Sequence, residues 1–354
     1  MSRKLIAFIL AAACILGAVA ASAEINGLKG DPSEEYYMIQ FVSGVEYWFP
    51  VYAAFKEAGN QLGVKTFYQG TTEYDANKEV EVFDQILAKK PKGILLSPIT
   101  AEAFKEPIDR AVAQGVAVVT YASDSPESNR HGYITSDNVR EGQYAARALG
   151  NELGGKGKVM TLRNPGQSNH DIRIDTFIKT INEEFPDIEV VADEPTNQNP
   201  DRAYTAVLTV AQKHPDLGAI FMPEASSAMG ASRAAVELGD GTAKIKVICC
   251  DVNEQILDML KTGDVYGAIN PDQGMQGYFG MLMTFMAAHP ELVHPMNGKR
   301  EMGQNPIYIP YVDNGLTLVT KENADYFYVD KYAQSLGYKD VQDMLSPGDP
   351  SKTN

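Results

Sequence analysis

Past the ends of its short apolar runs, the chain repeats one kind of side chain. Glu46-Tyr47-Trp48 follow the first run, Ser123 and Asp124 the fourth, and Asn164, Asn169, His170, Asp171 and Arg173 the fifth. Later runs close on Asn197 and Asn199, on Glu224-Ala225, on Asp251, and on Asn270 and Gln273. Amides, carboxylates and a guanidinium joined by aromatic rings suit a molecule crowded with hydroxyls. Each hydroxyl can donate to a carboxylate and accept from an amide or arginine, and one buried without partners costs roughly 1–3 kcal/mol. An aromatic face can cover the C–H side of a sugar ring. Trp48, the only tryptophan of 354 residues, sits with Tyr47 where that face is needed.

Each of these residues has an ordinary alternative. Strand-to-helix turns favour Asp and Asn as helix caps, and an aromatic trio can be a core wedge, the role expected of Phe49. Recurrence at the same end of successive strands favours a shared site. Catalysis has little support. His131, His170, His214, His289 and His294 are scattered without metal-ligand spacing; four read as surface or turn residues, and His170 alone falls near the candidate site. No nucleophile elbow occurs, and Gly154–Lys158 precedes a strand instead of opening a helix, so it reads as a turn. Sequence does not bring Glu46 and Glu224 together as an acid/base pair. The expectation is a binding protein without catalytic residues, metal or cofactor.

The elements that must position these residues alternate throughout. Apolar runs at 36–42, 64–68, 93–97, 116–121, 158–162, 190–192, 219–222, 245–250 and 266–269 are separated by amphipathic stretches. "NKEVEVFDQILAKK" and "AYTAVLTVAQKH" have the clearest helical spacing. Near-continuously apolar strands between helices predict parallel sheets covered on both faces, which bind ligands beyond the carboxyl ends of their strands. Polar stretches break the alternation at 132–143, where Asn138 is placed to cap a helix with Glu141 in the capping-box position, at 268–277, and at 311–317.

Residues 1–23 read as a secretory signal peptide: basic Arg3-Lys4, an apolar core, and Ala21-Ser22-Ala23 before Glu24. Cys14 offers only a weak lipoprotein site, because cleavage there would leave a greasy terminus. About 330 residues remain, enough for two domains. Losing Arg3 and Lys4 takes the formal charge from −15 to −17, which repels phosphate backbones and argues against nucleic-acid binding. Cys249 and Cys250 are adjacent, with Cα atoms about 3.8 Å apart, outside ordinary disulfide geometry. They read as opposite faces of one buried strand.

The segments "AAFKEAGNQLGVKTFYQGTTEYDANKEVEVFDQILAKKPKGILLSPI", "AVAQGVAVVTYASDSP", "YITSDNVREGQYAARAL", "AIFMPEASSAMGASRAA" and "CCDVNEQILDMLKTGDVYGAINPD" resemble type I periplasmic binding proteins of sugar ABC importers, in the ribose and autoinducer-2 receptor branch. The resemblance implies two Rossmann-like doubly wound α/β lobes joined by a three-segment hinge. The expected lobes are 36–136 plus 271–311 and 137–270 plus 312–345, with 346–354 as a tail. It further implies a periplasmic monomer that captures a small sugar, amino sugar or polyol between its lobes and hands it to an inner-membrane ABC permease. A sensory receptor would share this fold and cleft.

By resemblance, Tyr47 and Trp48 match paired aromatics that pack on the sugar, Arg173 a cleft arginine, and Asp251 an aspartate that accepts from hydroxyls. Asn270 or Gln273 should supply the contact at the second crossing. Three departures bear on the ligand. Glu224 replaces an asparagine of ribose receptors, while Pro223 and Ala225 look more like the autoinducer-2 branch. Ala122-Ser123 stand where ribose receptors have Asp-Arg, with Asp124 two residues later, and Phe41 aligns with a lysine of autoinducer-2 receptors. The candidate ligand set is Glu46, Tyr47, Trp48, Ser123, Asp124, His170, Arg173, Asn199, Glu224, Ala225, Asp251, Asn270 and Gln273. Ribose and autoinducer-2 fit it poorly, and an anionic sugar acid would meet too many carboxylates.

Overall fold

The apolar runs become strands of two separate sheets in a computed structural model that describes residues 28–239, 241, 244–290, 310–335, 337–341 and 343. The expected leader, Cys14, His294 and the tail 346–354 lie outside the described residues. The first sheet holds β1 (Glu35–Gln40), β2 (Lys65–Gly70), β3 (Gly93–Ser97), β4 (Ala117–Tyr121), β5 (Gly132–Thr135) and β11 (Tyr311–Asp313) in the order β11-β5-β4-β3-β1-β2, all parallel. The second holds β6 (Lys156–Arg163), β7 (Asp187–Pro195), β8 (Leu217–Met222), β9 (Lys246–Cys250), β10 (Gly267–Pro271) and β12 (Leu316–Val319) in the order β12-β10-β9-β8-β6-β7. Only the β10–β12 pairing is antiparallel.

Leaving out β11 and β12, each sheet follows the same doubly wound order. The strand sequence reverses between β1 and β3, and again between β6 and β8, which opens a crevice at the carboxyl ends. The helices of the first sheet are α1 (Trp48–Leu62), α2 (Ala76–Leu87), α3 (Ala101–Ala113) and, after β10, α9 (Gln273–Ala288). Those of the second are α4 (Asn138–Glu152), α5 (Ser168–Glu184), α6 (Pro200–Lys213), α7 (Ala225–Leu238) and α8 (Glu254–Thr262). A last helix, α10 (Val329–Ser335), packs on α1. The chain therefore passes between sheets three times: after β5, after β10, and between β11 and β12.

Both faces of each sheet are buried, as continuous apolar strands require. Cys249 lies in the core on one face of β9 and Cys250 in the core on the other. Two expectations are corrected. The cap of α4 is Asp137, whose carboxylate accepts from the N–H groups of Val139 and Arg140, so Asn138 is the first helical residue. Glu141 is fully buried and turned to a different partner. His289, read as a surface residue, is buried and paired with Glu34 at 2.8 Å.

One glycine in each half fixes how closely the helices approach. A Cβ on Gly277 of α9 would stand 1.9 Å from the Val51 carbonyl oxygen in α1, and one on Gly230 of α7 1.8 Å from the Pro200 carbonyl oxygen. Backbone cannot yield as a side-chain tip can, so overpacking of about 1–3 kcal/mol or more is expected. Gly277→Ala should lower the thermal midpoint by several degrees, and an unchanged melt would contradict this packing.

Candidate functional site

The first sheet contributes an aromatic wall. After β1 the backbone turns sharply, with Val42 at φ 44, a left-handed conformation rare for a β-branched residue. That turn leads Val45, Tyr47 and Trp48 into the start of α1. Trp48 is 4% exposed and clasped edge-on by Phe41, Tyr47 and Tyr121, with ring centroids at 5.4, 4.8 and 5.7 Å. The Tyr47 hydroxyl donates to Gln276 Oε1 at 2.9 Å. Phe49 faces elsewhere, packing with Ala53 and Ala333.

The second sheet contributes a polar wall opposite. Asn169, His170 and Arg173 share one buried face of α5. Arg173 forms a buried ion pair with Glu141 of α4 and donates to the Pro223 carbonyl at 2.9 Å. Burial, the largest single influence, disfavours its charge, but Glu141 together with Cys250, Asp251 and Tyr47 outweighs it, so the guanidinium stays protonated. Asn164 donates from Nδ2 to His170 Nδ1 at 3.0 Å, while its Oδ1 accepts from Gln198 N at 2.7 Å. Burial, then Arg173, holds the His170 pKa well below its ordinary value, so the ring is neutral. Glu224 caps α7, both its oxygens accepting from Ser227 N at 3.1 and 3.0 Å. Burial raises its pKa against those bonds.

Asp251 follows β9 at φ 65, and Ala122 follows β4 at φ 57. Each donates its N–H to the neighbouring strand, Ala122 to Ile134 O at 3.1 Å and Asp251 to Ile269 O at 2.7 Å. The two halves thus turn by the same strained device, and both residues line the cavity. Burial first, with Glu141 and Glu224, pushes the Asp251 pKa up to about 7 against the pull of Arg173. The atoms Asp251 Oδ1, Asn169 Oδ1 and Trp48 Nε1 have no hydrogen-bond partner.

The walls enclose about 580 Å³, the mouth included. Direct bonds join the two halves around it. Glu46 accepts from Glu254 N at the start of α8 at 2.9 Å, the Tyr74 hydroxyl donates to Gln167 Oε1 at 3.0 Å, and Asp124 N donates to Ser168 Oγ at 3.2 Å.

Of the residues singled out from sequence, Tyr47, Trp48, Asn169, His170, Arg173, Glu224, Ala225 and Asp251 meet in this cavity. The others are placed elsewhere, each with its own partners. Glu46 binds the α8 N-terminus. Ser123 donates to the Pro98 carbonyl at 2.6 Å, and Asp124 is held by a two-pronged pair with Arg130. Asn199 caps α6 through Asp201 N and Arg202 N at 2.9 and 3.0 Å. Asn270 and Gln273 bond one another at 3.0 and 3.2 Å beside a separate hollow that includes Tyr326. Sequence reading did not single out Phe41, Gln167, Gln198 or Asn253 on the wall, or Glu141 behind it. Their recurrence at strand ends, the signal used for the rest, could have found Gln167, Gln198 and Asn253. Among the described residues no cluster of three or more His, Cys, Asp or Glu could hold a metal ion.

Residues 36–289 match the family model described as periplasmic binding protein domain. The D-allose-binding periplasmic protein of Escherichia coli (strain K12) is 21% identical over 277 residues, 74% of this chain and 87% of that protein. The solved structure of AraP, an arabinose binding protein from Geobacillus stearothermophilus, is 32% identical with a TM-score of 0.73, over 84% of this chain and 100% of that one. The sugar-binding protein of a sugar ABC transporter from Bacillus halodurans is 31% identical with a TM-score of 0.76, over 83% and 100%.

Two outcomes follow from the electrostatics. Glu141→Ala leaves Arg173 buried without its counter-ion and should cost about 3–5 kcal/mol in urea denaturation; a loss below about 1 kcal/mol would contradict a structural ion pair. For Asp251 the folded pKa lies above the ordinary 3.8, so its stabilising protonated form is fully present below that value and lost as pH rises through about 7. Asp251→Asn should therefore unfold at higher denaturant than the parent at pH 8, with the gain gone by pH 4. A gain that does not change with pH would refute the raised pKa.

Proposed function

The chain belongs to the periplasmic binding protein family, and from that premise we propose that it is a receptor that captures a small sugar, amino sugar or polyol between two lobes and delivers it to an ABC importer. The observation that carries this reading is the opposition of two unlike walls across one cavity: Phe41, Tyr47 and Trp48 on one side, Asn169, His170, Arg173 and Asp251 on the other. A sugar ring has the same two characters, an apolar C–H face and a rim of hydroxyls. Tyr47 and Trp48 cover the face. Arg173 and the neutral His170 donate to hydroxyl oxygens, while Asp251, Glu224 and Asn169 accept from hydroxyl protons.

The first lobe is assigned as 36–136 with α9 and β11 and the second as 137–270 with β12. The expected cut at 311/312 thus moves past Asp313, and α10 packs on α1 of the first lobe instead of the second. In this reading the three crossings act as the hinge, and the Glu46–α8, Tyr74–Gln167 and Asp124–Ser168 bonds hold the closed form. Ligand adds its own contacts to that form, so the population shifts toward closure by the differential affinity alone. The membrane permease then meets a loaded receptor in a distinct shape. A relative named as periplasmic, and one named as the sugar-binding protein of a sugar ABC transporter, support export to the periplasm, with residues 1–23 as the leader. They are binding proteins, and the neutral, desolvated His170 and the capping Glu224 fit binding better than turnover.

A thermal-shift screen over pentoses, hexoses, deoxy and amino sugars and polyols tests this directly. A true ligand at about 100 times Kd stabilises the protein by about 2.7 kcal/mol. Trp48→Ala and Arg173→Ala should each weaken that ligand, Arg173→Ala by roughly 2–5 kcal/mol. No response to any carbohydrate would overturn the reading.

A further inference from the structure

The charge balance of the cavity narrows the ligand further, and this step rests on the reading just given. Arg173 is the only cationic side chain on the cavity wall among the described residues, and it is already committed to Glu141 and the Pro223 carbonyl. Asp251 and Glu224 also line the wall, and among the described residues neither has an ion-pair partner. His170 cannot supply a second positive charge, because its Nδ1 is bonded to Asn164 and its ring is buried beside Arg173. Of the acids around the cavity, Glu46 is tied to the start of α8 and Asp124 is paired with Arg130. The described interior therefore holds more carboxyl groups than cations, and burial answers by raising the pKa of Asp251 and Glu224.

Two further observations point the same way. The acceptors Asp251 Oδ1 and Asn169 Oδ1 have no partner, and Asn169 is only 3% exposed. The facing wall of Phe41, Tyr47 and Trp48 carries no charge, and aromatic faces attract cations. An ammonium group offers three donors and no acceptor, so it can bond these acceptors and supply the missing charge at once. A neutral hydroxyl can satisfy one acceptor but supplies no positive charge to favour the ionised form of Asp251.

We propose that the cavity is specific for an amine-bearing sugar or polyol, its ammonium seated between Asp251 and the aromatic wall. The remaining hydroxyls face Arg173 and His170. Glu224, held by Ser227, contributes negative potential more than a direct bond.

Calorimetric titration of the full chain with matched pairs provides the test: D-glucose against D-glucosamine, D-galactose against D-galactosamine, and D-mannose against D-mannosamine, each amine also in its N-acetyl form. In at least one pair the amine should bind tenfold or more tightly than its parent alcohol, and N-acetylation should remove the gain. Asp251→Asn should narrow the amine-to-alcohol ratio, and Glu224→Gln provides the same readout should the first variant fail to fold. Alcohols binding as tightly as amines in every pair would overturn the ammonium site while leaving the sugar receptor standing. Absence of binding by every member, together with a flat response across the wider carbohydrate panel, would overturn both.

Discussion

The buried pairing of Arg173 with Glu141 is the constraint on which the cavity depends. Bringing a guanidinium and a carboxylate out of water costs several kcal/mol per ion, and the pair returns this only when geometry and further hydrogen bonds are good. Glu141 on α4 and the Pro223 carbonyl before α7 meet that demand from different elements. Arg173 is thereby fixed on the cavity wall, and its charge acts on its neighbours. It adds to the burial that keeps His170 neutral, and it draws down a pKa that burial would otherwise raise further at Asp251. One positive charge, held in place by a residue outside the cavity wall, organises the whole polar side.

The two halves share a strand order and a left-handed turn at equivalent strand ends, yet they present opposite chemistry. At Ala122 the turn exposes a methyl group; at Asp251 the same turn exposes a carboxylate. The rest of each wall follows suit, aromatic from the start of α1 and polar from α5. A pseudo-symmetric frame thus yields a cavity with two unlike faces. Such a cavity orients an amphipathic ring by the chemistry of its walls as well as by shape. The bonds that join the halves lie around this cavity, Glu46 reaching the start of α8 and Tyr74 reaching Gln167 on the wall.

Much of the fold was legible because buried parallel strands leave continuous apolar runs and covering helices leave three- and four-residue spacing. Strands β11 and β12 were not, and β5 was read only as a polar strand end, since all three are short, lie at the crossings and carry polar residues. The site was legible where a side chain has no competing local role, as with Trp48, Arg173 and Asp251. It was harder to read where the same residue types have partners of their own. Asn199 caps α6, and Asp124 answers to Arg130, six residues away. Glu141 occupies capping-box spacing, but only tertiary packing shows that it faces Arg173. Local sequence cannot separate a cap from a contact, because both need an acceptor just beyond a strand.

The central claim is that one molecule sits between the aromatic and polar walls while the halves close on it. A crystal structure of the protein with its tightest-binding carbohydrate tests this most directly. The account predicts density between Trp48 and Asp251, within hydrogen-bond reach of Arg173, with the Glu46–Glu254 contact formed. Density confined to another hollow, such as the one beside Tyr326, with the interlobe cavity holding only solvent, would contradict it.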